Sequence, residues 1–112
     1  MKTASLIKDL EYKENKPAIQ VLFETANTKE IRIVMRKGQV MKEHKTPFPI
    51  VVEIFEGEIE FGVHGKKHHL KKGDMLTLAG DIPHDLNCKS DCIIRLSLSL
   101  LDKVERVLDV IN

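Results

Sequence analysis

Along most of this chain apolar residues recur at every second position, the period of a β-strand with one buried face. Ile19, Val21 and Phe23 alternate with Gln20, Leu22 and Glu24 and predict a half-buried strand. Asn27-Thr28-Lys29 reads as a turn. Ile31, Ile33 and Met35 then mark a cleaner strand. Residues 50 to 63 form a β run broken at Glu56-Gly57, with Ile50, Val52 and Ile54 before the break and Ile59, Phe61 and Val63 after it. His64-Gly65 suits a tight hairpin turn, because glycine tolerates positive φ. Lys71-Lys72-Gly73-Asp74 makes another turn. Short strands are predicted at Met75 to Leu78 and Leu86 to Cys88, around a loop at Gly80 to Pro83. A longer strand runs from Cys92 to Leu100, with Ile94, Leu96, Leu98 and Leu100 on one face.

Two segments change period. Residues 3 to 12 predict a short helix, capped by Thr3 or Ser5, with Leu6, Ile7 and Leu10 as its apolar stripe. Glu14-Asn15-Lys16-Pro17 ends it. In the tail, Leu101, Val104, Val107, Leu108 and Ile111 recur at helical spacing, and Ser99 with Asp102 resembles a capping box. An amphipathic helix docked on the barrel or on a partner subunit is expected there. Many short strands joined by Gly-rich turns predict an all-β barrel or sandwich between these two helices.

Composition narrows the partners. The 112 residues suffice for one domain and not for two. Lys and Arg number 18 against 17 Asp and Glu, a net charge of +1 that gives no reason to expect nucleic acid or a membrane surface. One Tyr, four Phe and no Trp leave little aromatic surface for stacking bases. No apolar run reaches the roughly 20 residues needed to span a bilayer. The first nine residues hold no apolar core of a secretory signal. Two cysteines do not make a disulfide framework, so a cytoplasmic protein with reduced thiols is expected.

Two stretches share one design. The first runs from Gly38 through His44 and an apolar strand to Glu56-Gly57; the second runs from Gly73-Asp74 through Met75 to Leu78 to Pro83-His84. The pair resembles the two signature motifs of the cupin family, here at 38–57 and 73–88. The resemblance covers about residues 30 to 100. It implies one cupin domain over 1–112, an all-β double-stranded β-helix (a jelly-roll barrel) with an internal metal site. The segment His44-Lys45-Thr46-Pro47 is similar to a group of small cupins with a His-x-Thr-Pro signature. Cupins commonly pair through sheet edges, so the resemblance implies a homodimer.

Half of the metal-ligand positions that the resemblance implies hold other residues. His44 and His84 match. Thr46 stands where the motif has its second histidine, and Ile50 where it has Glu or Gln. In the second motif Ala79 stands at the Pro position, Asp81 at the Gly position and Cys88 at the Asn position. Two imidazoles leave most of a transition metal's shell to water. Glu53 is the nearest carboxylate, but it lies three residues after Ile50, and a regular strand turns it to the other face. Only a β-bulge near Pro47-Phe48-Pro49 reverses that parity. Cys88 shares the parity of His84 and reads either as a buried apolar residue or as a third ligand. A bridge from Cys88 to Cys92 across Lys89-Ser90-Asp91 is a further alternative. His64, His68 and His69, among Lys66, Lys67, Lys71 and Lys72, read as a solvated basic face.

The candidate pocket therefore comprises His44, Thr46, Ile50, Val52, His84 and Cys88, with Ile54, Phe61, Leu76 and Leu78 lining the rest of the interior. His44 and His84 are the metal candidates, for Zn, Fe, Mn or Ni held weakly or for no metal at all. Three functions fit these residues: a small-molecule-binding or regulatory barrel with a degenerate metal site; a metal-dependent enzyme of dioxygenase or isomerase type; and a structural dimer with a filled barrel. The missing ligands favour binding over catalysis.

Overall fold

The computed structural model describes residues 1–101, 108, 110 and 111. Among the described residues nine strands follow one another: β1 (Ala18–Glu24), β2 (Thr28–Met35), β3 (Val40–His44), β4 (Ile50–Glu56), β5 (Glu58–Val63), β6 (Lys66–Lys71), β7 (Met75–Leu78), β8 (His84–Cys88) and β9 (Cys92–Ser99). They form a five-stranded sheet in the order β1-β2-β9-β4-β7 and a four-stranded sheet in the order β3-β8-β5-β6. All seven strand pairings are antiparallel. Two such sheets closed face to face are a jelly roll.

The alternation read from the sequence decides which side chains fill the space between the sheets. On β4, Ile50, Val52 and Ile54 are buried while Val51, Glu53 and Phe55 are half-exposed. Ile59 and Phe61 of β5, Leu86 and Cys88 of β8, and Ile94, Leu96 and Leu98 of β9 meet them in one cluster. The His64-Gly65 turn joins β5 to β6 with φ of 54° and 73°, the doubly positive pair that matches strand twist in a two-residue hairpin. β6, at a sheet edge, carries Lys66, Lys67, His68, His69 and Lys71, all exposed. Lysines along an edge strand discourage pairing with a further strand. Its alternation holds a single apolar residue, Leu70, which is why the hydrophobic pattern did not mark it as a strand.

The helix expected over residues 3–12 is not formed. The chain bends and makes one turn there. Ser5 Oγ does accept from the backbone N–H groups of Ile7 and Lys8, as a cap would. The next turn fails because Arg32 takes the carbonyls: its guanidinium donates to the backbone oxygens of Ser5, Lys8 and Asp9, and to Gln20 Oε1 at 2.7 Å. Asp9 then turns away with φ of 54°. A ten-residue helix is marginal in water, and a buried guanidinium outcompetes it. This segment covers the outer face of β2, where Arg32 is 3% exposed. The expected tail helix and its capping partner Asp102 fall largely outside the described residues. Of the tail, Leu108, Val110 and Ile111 have helical backbone, and Val110 is buried in the core cluster.

Candidate functional site

His44 ends β3 and His84 opens β8, and the two are directly paired across the ladder. A bulge makes this possible. Met41 opposes Leu86 and His44 opposes His84, so three steps on β3 match two on β8. A regular strand would put Met41 and His44 on opposite faces; the extra residue brings both inward. The imidazole centroids lie 4.3 Å apart, and the His84 ring stacks on Phe61 at 5.4 Å. His84 is 5% exposed and His44 is half-buried.

Each ring is held by its own backbone. His44 Nδ1 lies 2.9 Å from the carbonyl of Lys42, and His84 Nδ1 lies 2.9 Å from the carbonyl of Ile82. A carbonyl only accepts, so each Nδ1 carries the proton and donates. In a neutral ring held this way, Nε2 is a bare lone pair. Burial, reinforced by the neighbouring His84, holds the His44 pKa below the usual histidine value, against the pull of the Lys42 carbonyl and of Asp85. His44 is thus neutral at physiological pH.

The rings border a cavity of about 50 Å³. Its remaining walls are Met41, Ile50, Val52, Phe61, Leu86 and, from β2 and β9, Ile33, Ile94, Leu96 and Leu98, with Thr46 as the other polar residue. Two loops frame this end. Gly80 lies so close to Pro47 that an added Cβ would stand 2.8 Å from its carbonyl carbon. Asp81 N–H donates to the Thr46 carbonyl at 2.7 Å. Phe48 N–H donates to Thr46 Oγ1 at 3.2 Å, which fixes the threonine beside the cavity.

Solved structures share this arrangement of sheets. An RmlC-like cupin from Desulfovibrio desulfuricans superposes with a TM-score of 0.81 at 20% identity, covering 88% of this chain and 96% of the other. An RmlC-like cupin from Shewanella frigidimarina gives 0.78 at 20% identity, over 94% and 96%. A cupin 2 conserved barrel domain protein from Leptotrichia buccalis gives 0.72 at 28% identity, over 80% of this chain and 44% of that one. This chain has the cupin fold. No protein-family model matches the sequence, and none of the curated proteins matches it.

Within the cupin frame, the motif positions can be placed one by one. Asp81 stands where the motif has glycine and keeps the glycine conformation, with φ of 63°, which aspartate tolerates better than most residues. Thr46 and Ile50 both border the cavity, where the resemblance implies a histidine and a carboxylate. Cys88 does not border it. It faces inward as its parity requires, but four residues further along β8, about 13 Å at 3.3 Å per residue. There its Sγ meets Cys92 Sγ at 3.0 Å. Its reading as a pocket residue or third ligand beside the histidines is therefore corrected by distance along the strand. Glu53 is on the outer face of its sheet, as unbroken parity demands. The bulge needed to turn it inward is absent from Ile50 to Ile54, and Arg95 Nε donates to Glu53 Oε1 at 2.8 Å. Arg95 also donates to Glu30, which hydrogen bonds from Ser97, Thr28 and Arg95 keep ionised against the cost of burial.

The site thus brings His44, Thr46, Ile50, Val52 and His84 together and leaves Cys88, Glu53, Ile54, Leu76 and Leu78 elsewhere. Two imidazoles, a hydroxyl and nine apolar walls do not make the three- or four-ligand shell of a cupin metal. Among the described residues no cluster of three or more His, Cys, Asp or Glu is placed to hold a metal ion. Pattern reading missed Met41, because its parity with His44 is set by the bulge, which no glycine announces. It also missed the walls contributed by Ile33, Ile94, Leu96 and Leu98, although the alternation that would place them inward was already visible.

Proposed function

We propose that this cupin-fold protein binds a small molecule in its barrel, without converting it, and that His44 and His84 grip the ligand's polar end. One observation carries the reading: two neighbouring imidazoles whose Nδ1–H groups are already spent on the Lys42 and Ile82 carbonyls, beside an otherwise apolar cavity. An apolar pocket with a few fixed polar groups is the general form of a small-molecule site. The two Nε2 lone pairs call for a ligand that donates hydrogen bonds, such as an alcohol, an amide or an amine. A cavity of about 150 Å³ holds a benzene ring. The 50 Å³ here therefore suits a ligand end group of a few atoms, with the remainder at the half-buried His44 rim.

Melting the protein in a panel of small alcohols, amides, amines and carboxylates tests this reading. A ligand present at a hundred times its Kd stabilises by about 2.7 kcal/mol. The reading expects such a rise with hydrogen-bond donors and its loss in His84→Ala. Stoichiometric metal in the purified protein that resists EDTA and disappears in His84→Ala would overturn it.

That opposite result would favour the metal-dependent enzyme. One observation supports this second reading: metal-ligating histidines commonly donate their other ring N–H to a backbone carbonyl, as both rings do here. A Zn, Fe, Mn or Ni ion held by His44 and His84 alone would bind weakly. We place the protein in the cytoplasm, whose reducing conditions suit the unbridged thiols of Cys88 and Cys92. We further take it to be a homodimer paired along β1, an edge strand without the lysines of β6 and with Val21 exposed.

A further inference from the structure

The far end of the barrel from the two histidines holds a second pair of reactive side chains. Cys88 closes β8 in the four-stranded sheet, and Cys92 opens β9 in the five-stranded sheet. Both are fully buried, yet their Sγ atoms lie 3.0 Å apart and face each other. A disulfide needs about 2.0 Å between sulfurs, so a shift of about 1 Å would bond them. The backbone around them is clamped. Cys88 exchanges hydrogen bonds with the 38–39 segment, its N–H going to the Gln39 carbonyl and its carbonyl accepting from Gly38 N–H. Gly57 lies so close to Cys92 that an added Cβ would stand 2.7 Å from the cysteine Cβ. With their backbones fixed and their side chains aimed together, the two sulfurs are each other's nearest reaction partner.

An exposed turn joins them. Only the turn Lys89-Ser90-Asp91 lies between Cys88 and Cys92 in sequence, and Lys89 and Asp91 are exposed. Ser90 holds the turn down through Oγ, which accepts from Glu58 N–H at 2.9 Å, and its carbonyl accepts from Cys88 Sγ at 2.8 Å. The turn is tied further by Lys89 N–H to the Glu58 carbonyl and by Lys37 N–H to Asp91 Oδ1, so an oxidant reaches the thiols through local opening.

We infer that Cys88 and Cys92 form a redox pair that closes to an intramolecular disulfide when the protein meets a hydroperoxide. The Cys88 thiolate attacks one peroxide oxygen, the O–O bond breaks, and the departing hydroxide leaves as water with the thiol's proton. Cys88 is then a sulfenic acid. Cys92 Sγ attacks Cys88 Sγ, the S–O bond breaks, and the second hydroxide leaves as water with the Cys92 proton. Two electrons pass from the pair to the peroxide: two thiols and one hydrogen peroxide give one disulfide and two waters. The order of events follows from the hydrogen bond between the sulfurs. That bond lowers the Cys88 pKa and raises that of Cys92, whose burial adds to the rise. Burial and the nearby Asp91 oppose the lowering at Cys88. Cys88 is accordingly the attacking sulfur and Cys92 the resolving one. The bond would tie the two sheets together at the closed end of the barrel.

The test uses the full-length protein, freed of reductant and treated with hydrogen peroxide. It is then denatured, alkylated and weighed by intact-mass spectrometry. The expected product has lost the mass of two hydrogens, takes up no alkylating agent and recovers two alkylatable thiols with dithiothreitol. In Cys92→Ser the oxidation stops on Cys88, which gains oxygen. In Cys88→Ser the remaining thiol stays alkylatable at the same dose. Two alkylatable thiols left in the untreated-sequence protein, at a dose that fully oxidises free glutathione, would overturn the proposal. So would addition of oxygen to that protein without loss of the two hydrogens.

Discussion

The two ends of β8 carry His84 and Cys88 on the same inward face, four residues apart, and they are built for different purposes. At the His84 end the ladder is bulged, two polar rings meet, and a cavity of about 50 Å³ remains between the sheets. At the Cys88 end the space is filled. Ile59, Cys88 and Cys92 are at most 1% exposed, and Gly57 is glycine because nothing larger fits beside Cys92. The contrast teaches that one strand can be packed differently at its two ends, filled around Cys88 and with unfilled volume beside His84. Proteins commonly hold functional sites in regions that do not maximise stability.

Substitutions at the two ends should break or confirm this division. Gly57→Val, at the filled end, combines positive φ with overlap onto Cys92. It should destabilise by about 4 kcal/mol. Ile50→Ala, at the cavity end, enlarges a space that already exists and should cost only about 2 kcal/mol, the low end for such truncations. Urea unfolding of both variants checks the pair, and equal losses would show the two ends to be packed alike. The smallest effect concerns pH. Folding lowers the His44 pKa below its ordinary 6.5, so the unfolded chain binds that proton more readily. The contribution of His44 to stability is therefore complete above pH 6.5 and is lost as pH falls through the folded value. In urea titrations, His44→Gln should flatten the decline in stability below pH 6.5 relative to the parent protein.

What could be read from the sequence divides along the same line. At the filled end Ile54 and Ile59 alternate with half-exposed or exposed neighbours, so both were legible as core from spacing alone. The His64-Gly65 hairpin was legible because the turn demands residues that accept positive φ. His44 and His84 were singled out by their distances from glycine and proline, and the structure brings them together. Parity gave the face of Cys88 but not its depth, and depth is what separates a cavity wall from a core cysteine. The N-terminal helix was misread because its competitor, Arg32, lies more than twenty residues away in sequence. No local pattern can report a long-range guanidinium that takes a helix's carbonyls.

The central claim is that both imidazoles donate from Nδ1 to their backbone carbonyls and offer Nε2 to a hydrogen-bond donor and not to a metal. Nitrogen NMR of the ¹⁵N-labelled histidines of the purified protein, assigned with His44→Gln and His84→Ala, tests it directly. The account predicts Nδ1–H tautomers for His44 and His84 near neutral pH, with Nε2 signals that move when a donor ligand is added and are unchanged by EDTA. Nε2–H tautomers, or Nε2 signals that shift when EDTA strips a bound metal, would contradict it.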